Sequence, residues 1–514
     1  MRQSYHSVLK WSLLTGTSTI LLKLCYESVF NVTLRTSTKS LSTYESTLIS
    51  WASTGVNSKE IQNKPIDTTI RDDLQLIGAQ IYFRHGARTP LSLLPGLEEP
   101  SYTREHIEMY PPSKWDIKLI TKLGNDIVSK DKVLSANDII GDRIKKLKST
   151  SDLKVVTGQL TAIGEKQLYQ VGQLIRSEII KQDQHQLIPS TYDSDIVYCR
   201  STYMDRTIAS ARCFLAGLFS SEKDDNKIKS KGPFEIEVQN FPDEDMFPNP
   251  KVAPELKNCP TVIALYKSLN DNHDLKVARQ ALIDHIGNFL KFPNPKVAPE
   301  LKNCPTVIAL YKSLNDNHDL KVARQALIDH IGVQDYPHGL IELHDEFVSR
   351  EAHNFSFPKE FIELTKTFEI MTAREFVLMA TSIGFDLFIR STCGPLLYLL
   401  KQNFDYISKN FKEQQENHIN RPYKKLFVYS GHDTTLVPLL MGLEIFQMSW
   451  PNYAAYIFIK FYASKTNPNE TYVGVNYAGQ PQILPNCDNY YCSYSTFLEN
   501  LKSRFEKPKF LINQ

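Results

Sequence analysis

Residues 84–90 read Arg-His-Gly-Ala-Arg-Thr-Pro, which places two guanidinium groups on either side of an imidazole. A guanidinium presents a planar fork of N–H donors that matches phosphate oxygens, and a neutral imidazole can attack phosphorus. The glycine lets backbone pass closely beside them. Two further segments carry complementary groups. Arg200 opens an Arg-Ser-Thr triplet at 200–202, with Arg206 soon after it, and His432 and Asp433 lie within Ser-Gly-His-Asp-Thr-Thr at 430–435. An imidazole beside a carboxyl supplies a further anion contact and a carrier for protons. Together these groups suit chemistry on a phosphate.

Each segment is reached through a short apolar run: 77–83 before Arg84, 195–199 before Arg200, and 426–429 before the Ser-Gly-His-Asp turn. Such runs read as buried parallel strands, and ligands of open α/β sheets bind beyond the carboxyl ends of the strands. Helical spacing fills the gaps that parallel connections require. Residues 160–181 carry Leu168, Val171, Leu174, Ile175 and Ile179, and 203–219 carry Ile208, Ala211, Leu215 and Leu218. Residues 434–441 place helix N-terminal amides beside the presumed anion site. Near the end, 454–462 and 471–477 read as paired strands around a polar turn with Pro468. The expected fold is α/β: a doubly wound, mostly parallel sheet with helices on both faces, plus a mostly helical cap. The core should comprise 71–221 and 391–514, with the cap inserted at 222–390 and a targeting segment at 1–70.

The three segments, in this order, resemble the histidine acid phosphatase family, the larger branch of the histidine phosphatases. The resemblance implies that His85 is a nucleophile that becomes phosphohistidine, and that Arg84 and Arg88 hold the phosphoryl oxygens. It implies that Arg200 is the second phosphate-binding arginine, that His432 also contacts the phosphoryl group, and that Asp433 is the proton donor. Arg206, Arg212 and His353 read instead as helix-surface or core residues. The implied activity is hydrolysis of phosphate monoesters. A non-catalytic phosphate-binding relative should lack the nucleophile or the donor, and both are present. A phosphoglycerate mutase relative shares the Arg-His-Gly motif but usually uses a Glu donor.

After Pro90 the chain reads Leu-Ser-Leu-Leu-Pro-Gly-Leu-Glu-Glu-Pro, apolar and then acidic. A site for highly phosphorylated inositol favours extra cations beside the motif, whereas an apolar approach suits a phosphate with a lipid tail. Lysophosphatidate, converted to monoacylglycerol, is the expected substrate, and a phytase-like or inositol-polyphosphate activity is the alternative. Residues 158–164 and Trp450-Pro451 likewise resemble the lipid-phosphate members of the family more than the secreted ones.

Lys plus Arg total 59 against 57 for Asp plus Glu. Without a concentrated basic face nucleic acid is not expected as a partner, and membrane contact should be peripheral at most. The sequence leaves the oligomeric state open. Of the eight cysteines, none are paired as Cys-x-x-Cys, and no metal or cofactor is expected. Cys487 and Cys492 can either close a local disulfide or remain thiols.

The first acidic residue is Glu27, and 18 of the first 50 residues are Ser or Thr. This basic, hydroxyl-rich leader resembles a mitochondrial transit peptide, with a secretory signal as the rival. In that case the Asn-x-Ser/Thr triplets at Asn31, Asn354 and Asn469 become usable for glycosylation. Finally, residues 247–287 recur without one difference at 292–332. Two copies do not make a solenoid, and perfect identity means neither copy has adapted to its own neighbours, so the repeat is expected to be a recent or artefactual duplication.

Overall fold

The computed structural model describes residues 71–91, 100–123, 126–127, 132–134, 157–180, 186–221, 227–239, 244–247, 340–356, individual positions within 365–380, 385–418 and 421–507. The leader, the chain from 92 to 99 and the repeat beyond Phe247 lie outside these residues.

The strands are β1 (Leu74–Arg84), β2 (Ile117–Leu123), β3 (Asp126–Ile127), β4 (Lys132–Leu134), β5 (Val197–Ser201), β6 (Phe234–Gln239), β7 (Leu426–Gly431), β8 (Tyr456–Ser464), β9 (Thr471–Tyr477), β10 (Gln480–Gln482) and β11 (Cys492–Ser493). They form one sheet in the order β10-β9-β8-β1-β7-β5-β6-β2-β3, with β11 beside β9 and β4 beside β2. The five central strands, from β1 to β2, pair in parallel. Antiparallel pairs occupy both margins. The expected hairpin near the C-terminus is β8–β9.

Helices cover both faces. α1 (Ala162–Ile179) and α2 (Asp205–Leu218) lie on one side, and the 33-residue α4 (Phe385–Asn417) with α5 (Asp433–Gly442) lies on the other. α3 (Leu340–Ala352) comes from the expected insertion, and α6 (Tyr494–Leu501) closes the chain. The period of two sorts the strand side chains between the two cores. Ala79, Ile81, Phe83, Leu426 and Val428 pack with α1 and α2, while Tyr82, Phe427 and Tyr429 pack with α4 and α5. Each fully buried Val, Leu, Ile or Phe side chain among them contributes about 1.5–3 kcal/mol.

One boundary is corrected. The core was expected to stop at 221, yet β6 sits between β5 and β2, so 234–239 belongs to the sheet. Its Phe-Glu-Ile-Glu-Val-Gln alternation is that of a strand with one apolar face: Phe234 and Ile236 join the α1/α2 core. A disulfide joins Cys487 to Cys492, the first residue of β11. Among the described residues, no helix is long and apolar enough to cross a membrane.

Candidate active site

The register brings three strand ends side by side: Arg84 lies opposite Gly431, and Ser201 opposite Ser430. Beyond them the 85–90 loop is fastened at nearly every residue. His85 N donates to Gly431 O at 3.0 Å, and its own carbonyl accepts from Ala454 N. Gly86 N donates to Ser210 Oγ and Ala87 N to Gln167 Oε1. Ala87 O accepts from both N and Oγ1 of Thr161, the residue that caps α1. The loop rests so closely on the first turn of α1 that a Cβ on Gly86 would meet Gly164 O at 2.1 Å.

His85 is buried. Its Nδ1 stands 2.9 Å from Gly86 O, a pure acceptor, so Nδ1 carries the proton and Nε2 keeps the free lone pair. Burial, then the charges of Arg206, Arg88 and Arg84, hold its pKa well below the ordinary imidazole value. The ring is therefore a neutral nucleophile facing a cationic surround. His432 crosses it edge-on at 5.5 Å between centroids and is likewise depressed, first by burial and then by Arg206. His432 Nε2 meets Thr202 Oγ1 at 3.0 Å. Asp433, at the start of α5, pairs with Arg84 at 2.9 Å and accepts from Trp450 Nε1 at 3.1 Å. Burial raises its pKa, but Arg84 and His432 outweigh that and leave it at about 2. Arg84 also donates to Pro451 O and lies 4.4 Å from the Tyr453 ring centroid. The Tyr453 hydroxyl is buried among these charges without a hydrogen-bond partner among the described residues.

The structure thus brings together Arg84, His85, Arg88, His432 and Asp433, but Arg200 is elsewhere. Arg200 shares the strand face of Tyr198, toward Tyr429, and its Nη2 donates to Gln239 at 2.9 Å, to Glu244 at 3.2 Å and to Asp245. With two carboxylates already holding it in the core, it is a structural cation, and the expectation that it binds phosphate is corrected. The cation acting most strongly on both His85 and His432 is Arg206, which the sequence reading set aside. It sits in the first turn of α2, and its Nη1 lies beside Gly158, which is tied to Pro90 O. Burial and Arg88 bring its pKa down to about 10, so it stays charged at neutral pH. Arg212 is a core residue, as expected, paired at 2.7 Å with buried Glu165. His353 is also buried, between Ser349 O and Thr161 Oγ1.

A second unanticipated group is Asp345 on α3. It grips Arg88 with both oxygens, at 2.5 and 3.0 Å, and accepts from Leu91 N at 3.1 Å. Nothing in the local sequence marks it. A carboxylate within a helical insertion becomes meaningful only when the fold brings it to Arg88, far away in the chain.

A buried neutral histidine ringed by arginines, with an aspartate at the neighbouring strand end, is an arrangement for phosphoryl chemistry, and residues 75–280 and 391–477 match the pattern of the Histidine phosphatase superfamily (branch 2). The chain belongs to this superfamily. Among histidine phosphatases, the human lysophosphatidic acid phosphatase type 6 is 25% identical over 443 residues, covering 84% of each chain. Human prostatic acid phosphatase is 25% identical over 343 residues, covering 64% of this chain and 72% of that one. Among solved structures, the apo form of the Hafnia alvei phytase covers 85% of this chain and 98% of its own, at 15% identity and a TM-score of 0.45. As a histidine acid phosphatase the protein is a phosphoric monoester hydrolase.

Proposed function

We propose that the protein hydrolyses a lysophosphatidate-type phosphomonoester through a phosphohistidine on His85. The observation that carries this reading is the free Nε2 lone pair of a buried neutral His85 among Arg84, Arg88 and Arg206. Phosphate monoesters hydrolyse extremely slowly in water, and the dianion repels nucleophiles, so a catalyst must mainly place cations and orient groups. The three arginines and His432 hold the phosphoryl oxygens. Nε2 forms a bond to phosphorus as the ester P–O bond breaks, and the leaving oxygen takes a proton from Asp433. In the free site Asp433 is ionised by its pairing with Arg84. When phosphoryl oxygens take over Arg84, that constraint is removed and the carboxyl takes up from water the proton that it then delivers. Water then attacks phosphorus, gives its proton back to Asp433, and the P–N bond breaks to release phosphate.

The lipid part of the reading rests on the surround. Tyr203 and Phe247 are half-buried beside each other, with Phe247 5.8 Å from His432, and Leu91 is about half exposed next to the Asp345–Arg88 pair. Aromatic and aliphatic groups at the edge of an anion site suit an ester with an apolar tail. The likeness to lysophosphatidic acid phosphatase type 6 over most of the chain supports the same choice.

The test is a substrate panel on purified protein in chelator: lysophosphatidate, phytate and an aryl phosphate, with His85→Ala alongside. Lysophosphatidate should be preferred, turnover should persist below the free imidazole pKa of about 6.5, and His85→Ala should be inactive. Comparable rates on phytate with none on lysophosphatidate overturn the substrate, and an active His85→Ala overturns the nucleophile.

A further inference from the structure

We propose that Asp345, a residue of the insertion, is a positioning residue that orients Arg88 and limits how tightly the site holds phosphate; the proposal rests on the phosphatase reading above. The geometry goes beyond a single ion pair. Asp345, Ser349 and His353 recur every four residues and so lie along one face of α3 and its end. That face runs along the 87–91 loop. Asp345 takes Arg88 in both arms of its fork and receives Leu91 N. One turn on, Ser349 Oγ donates to Arg88 O at 2.9 Å and meets Tyr102 OH at 2.9 Å. One turn further, His353 Nε2 lies 2.8 Å from Thr161 Oγ1, which itself donates to Ala87 O. Both the side chain and the backbone of Arg88 are therefore held from the same helix.

The pairing has an electrostatic consequence. A bidentate carboxylate fixes the plane of the guanidinium, so Arg88 meets the phosphoryl group already oriented. The same negative charge sits beside the bound anion and subtracts from the attraction of Arg84, Arg88 and Arg206. A site whose three arginines were opposed by Asp433 alone would retain inorganic phosphate more tightly, and turnover would then wait on product release. Asp345 thus trades ground-state affinity for turnover.

Asp345→Asn keeps the size of the side chain and removes the charge. The expected result is a fall in kcat on the order of tenfold together with a lower KM and a lower inhibition constant for inorganic phosphate, the pattern of a lost ground-state repulsion. Asp345→Glu should restore most of kcat and the wild-type phosphate constant. A merely structural role would shrink the active fraction and the thermal midpoint while leaving KM and the phosphate constant in place, and that outcome overturns the proposal. So do wild-type values of all three constants in Asp345→Asn. If the wild-type protein itself hydrolyses no phosphomonoester while His85 is intact, the phosphatase reading fails first, independently of Asp345.

Discussion

Arg206 stands in the first turn of α2, where the positive end of the helix dipole disfavours a cation. Its placement is understandable when an anion is expected in front of it, and that tension is a signal available in sequence. Arg200 and Arg206 lie close together in one short segment, and the choice between them turns on local geometry. Strand alternation sends Arg200 to the Tyr198 face, where the polar edge of β6 and the carboxylates of Glu244 and Asp245 receive it. The two arginines should therefore separate by experiment. Arg206→Ala is expected to lower kcat/KM by about 10²–10³-fold with an unchanged thermal midpoint. Arg200→Met leaves buried carboxylates without their cation and should cost about 3–5 kcal/mol of stability. Steady-state kinetics beside thermal unfolding checks both; a catalytic defect confined to Arg200→Met would reverse the assignment.

At the level of elements, the strands leading to Arg84, Arg200 and Ser430 were legible because uninterrupted apolar runs are what a doubly covered parallel strand requires. α1 and α2 followed from their apolar stripes. The alternation of β6 marks a strand with one apolar face but not its place between β5 and β2: its Phe234 and Ile236 face the core while Gln239 reaches Arg200. α3 was invisible as a functional element, since Asp345 has no motif around it and meets Arg88 only in the folded chain. The contact between the 85–90 loop and α1 was equally hidden, although both partners are glycines. A Cβ on Gly164 would fall 2.1 Å from Ala87 O and 2.6 Å from Ala87 N. Gly164→Ala must therefore push the loop and helix apart. Because misplacing a catalytic group by about 1 Å can cost on the order of 10²-fold, kcat/KM should fall by about that much. Circular dichroism should show the helices retained; wild-type kinetics in this variant would mean that the loop tolerates displacement.

For the whole molecule, the identical repeat at 247–287 and 292–332 contributes one described residue, Phe247. Removing 247–291 or removing 288–332 yields the same protein, because the copies are identical. In that single-copy chain a Phe still follows Met246, so the residue beside His432 is preserved. We expect the shortened protein to keep wild-type kcat/KM and to be at least as soluble, since the second copy only duplicates apolar residues that the first supplies and no described residue of the site is lost. Expression yield, size-exclusion behaviour and kinetics of the two lengths test this, and an inactive short form would show that both copies are needed.

β1 is flanked by β7 and β8, so Ala79 pairs with Leu426 on one side and Lys460 on the other. The order of synthesis gives this arrangement a cost. The strand that leads into His85 is made with both edges open, and neither partner exists until residues 426–464 have been made. Contacts this distant in sequence form slowly, and an unpaired apolar strand is prone to associate with other chains in the meantime. Enzyme activity thus waits on β7: a chain interrupted before it carries the nucleophile but neither His432 nor Asp433.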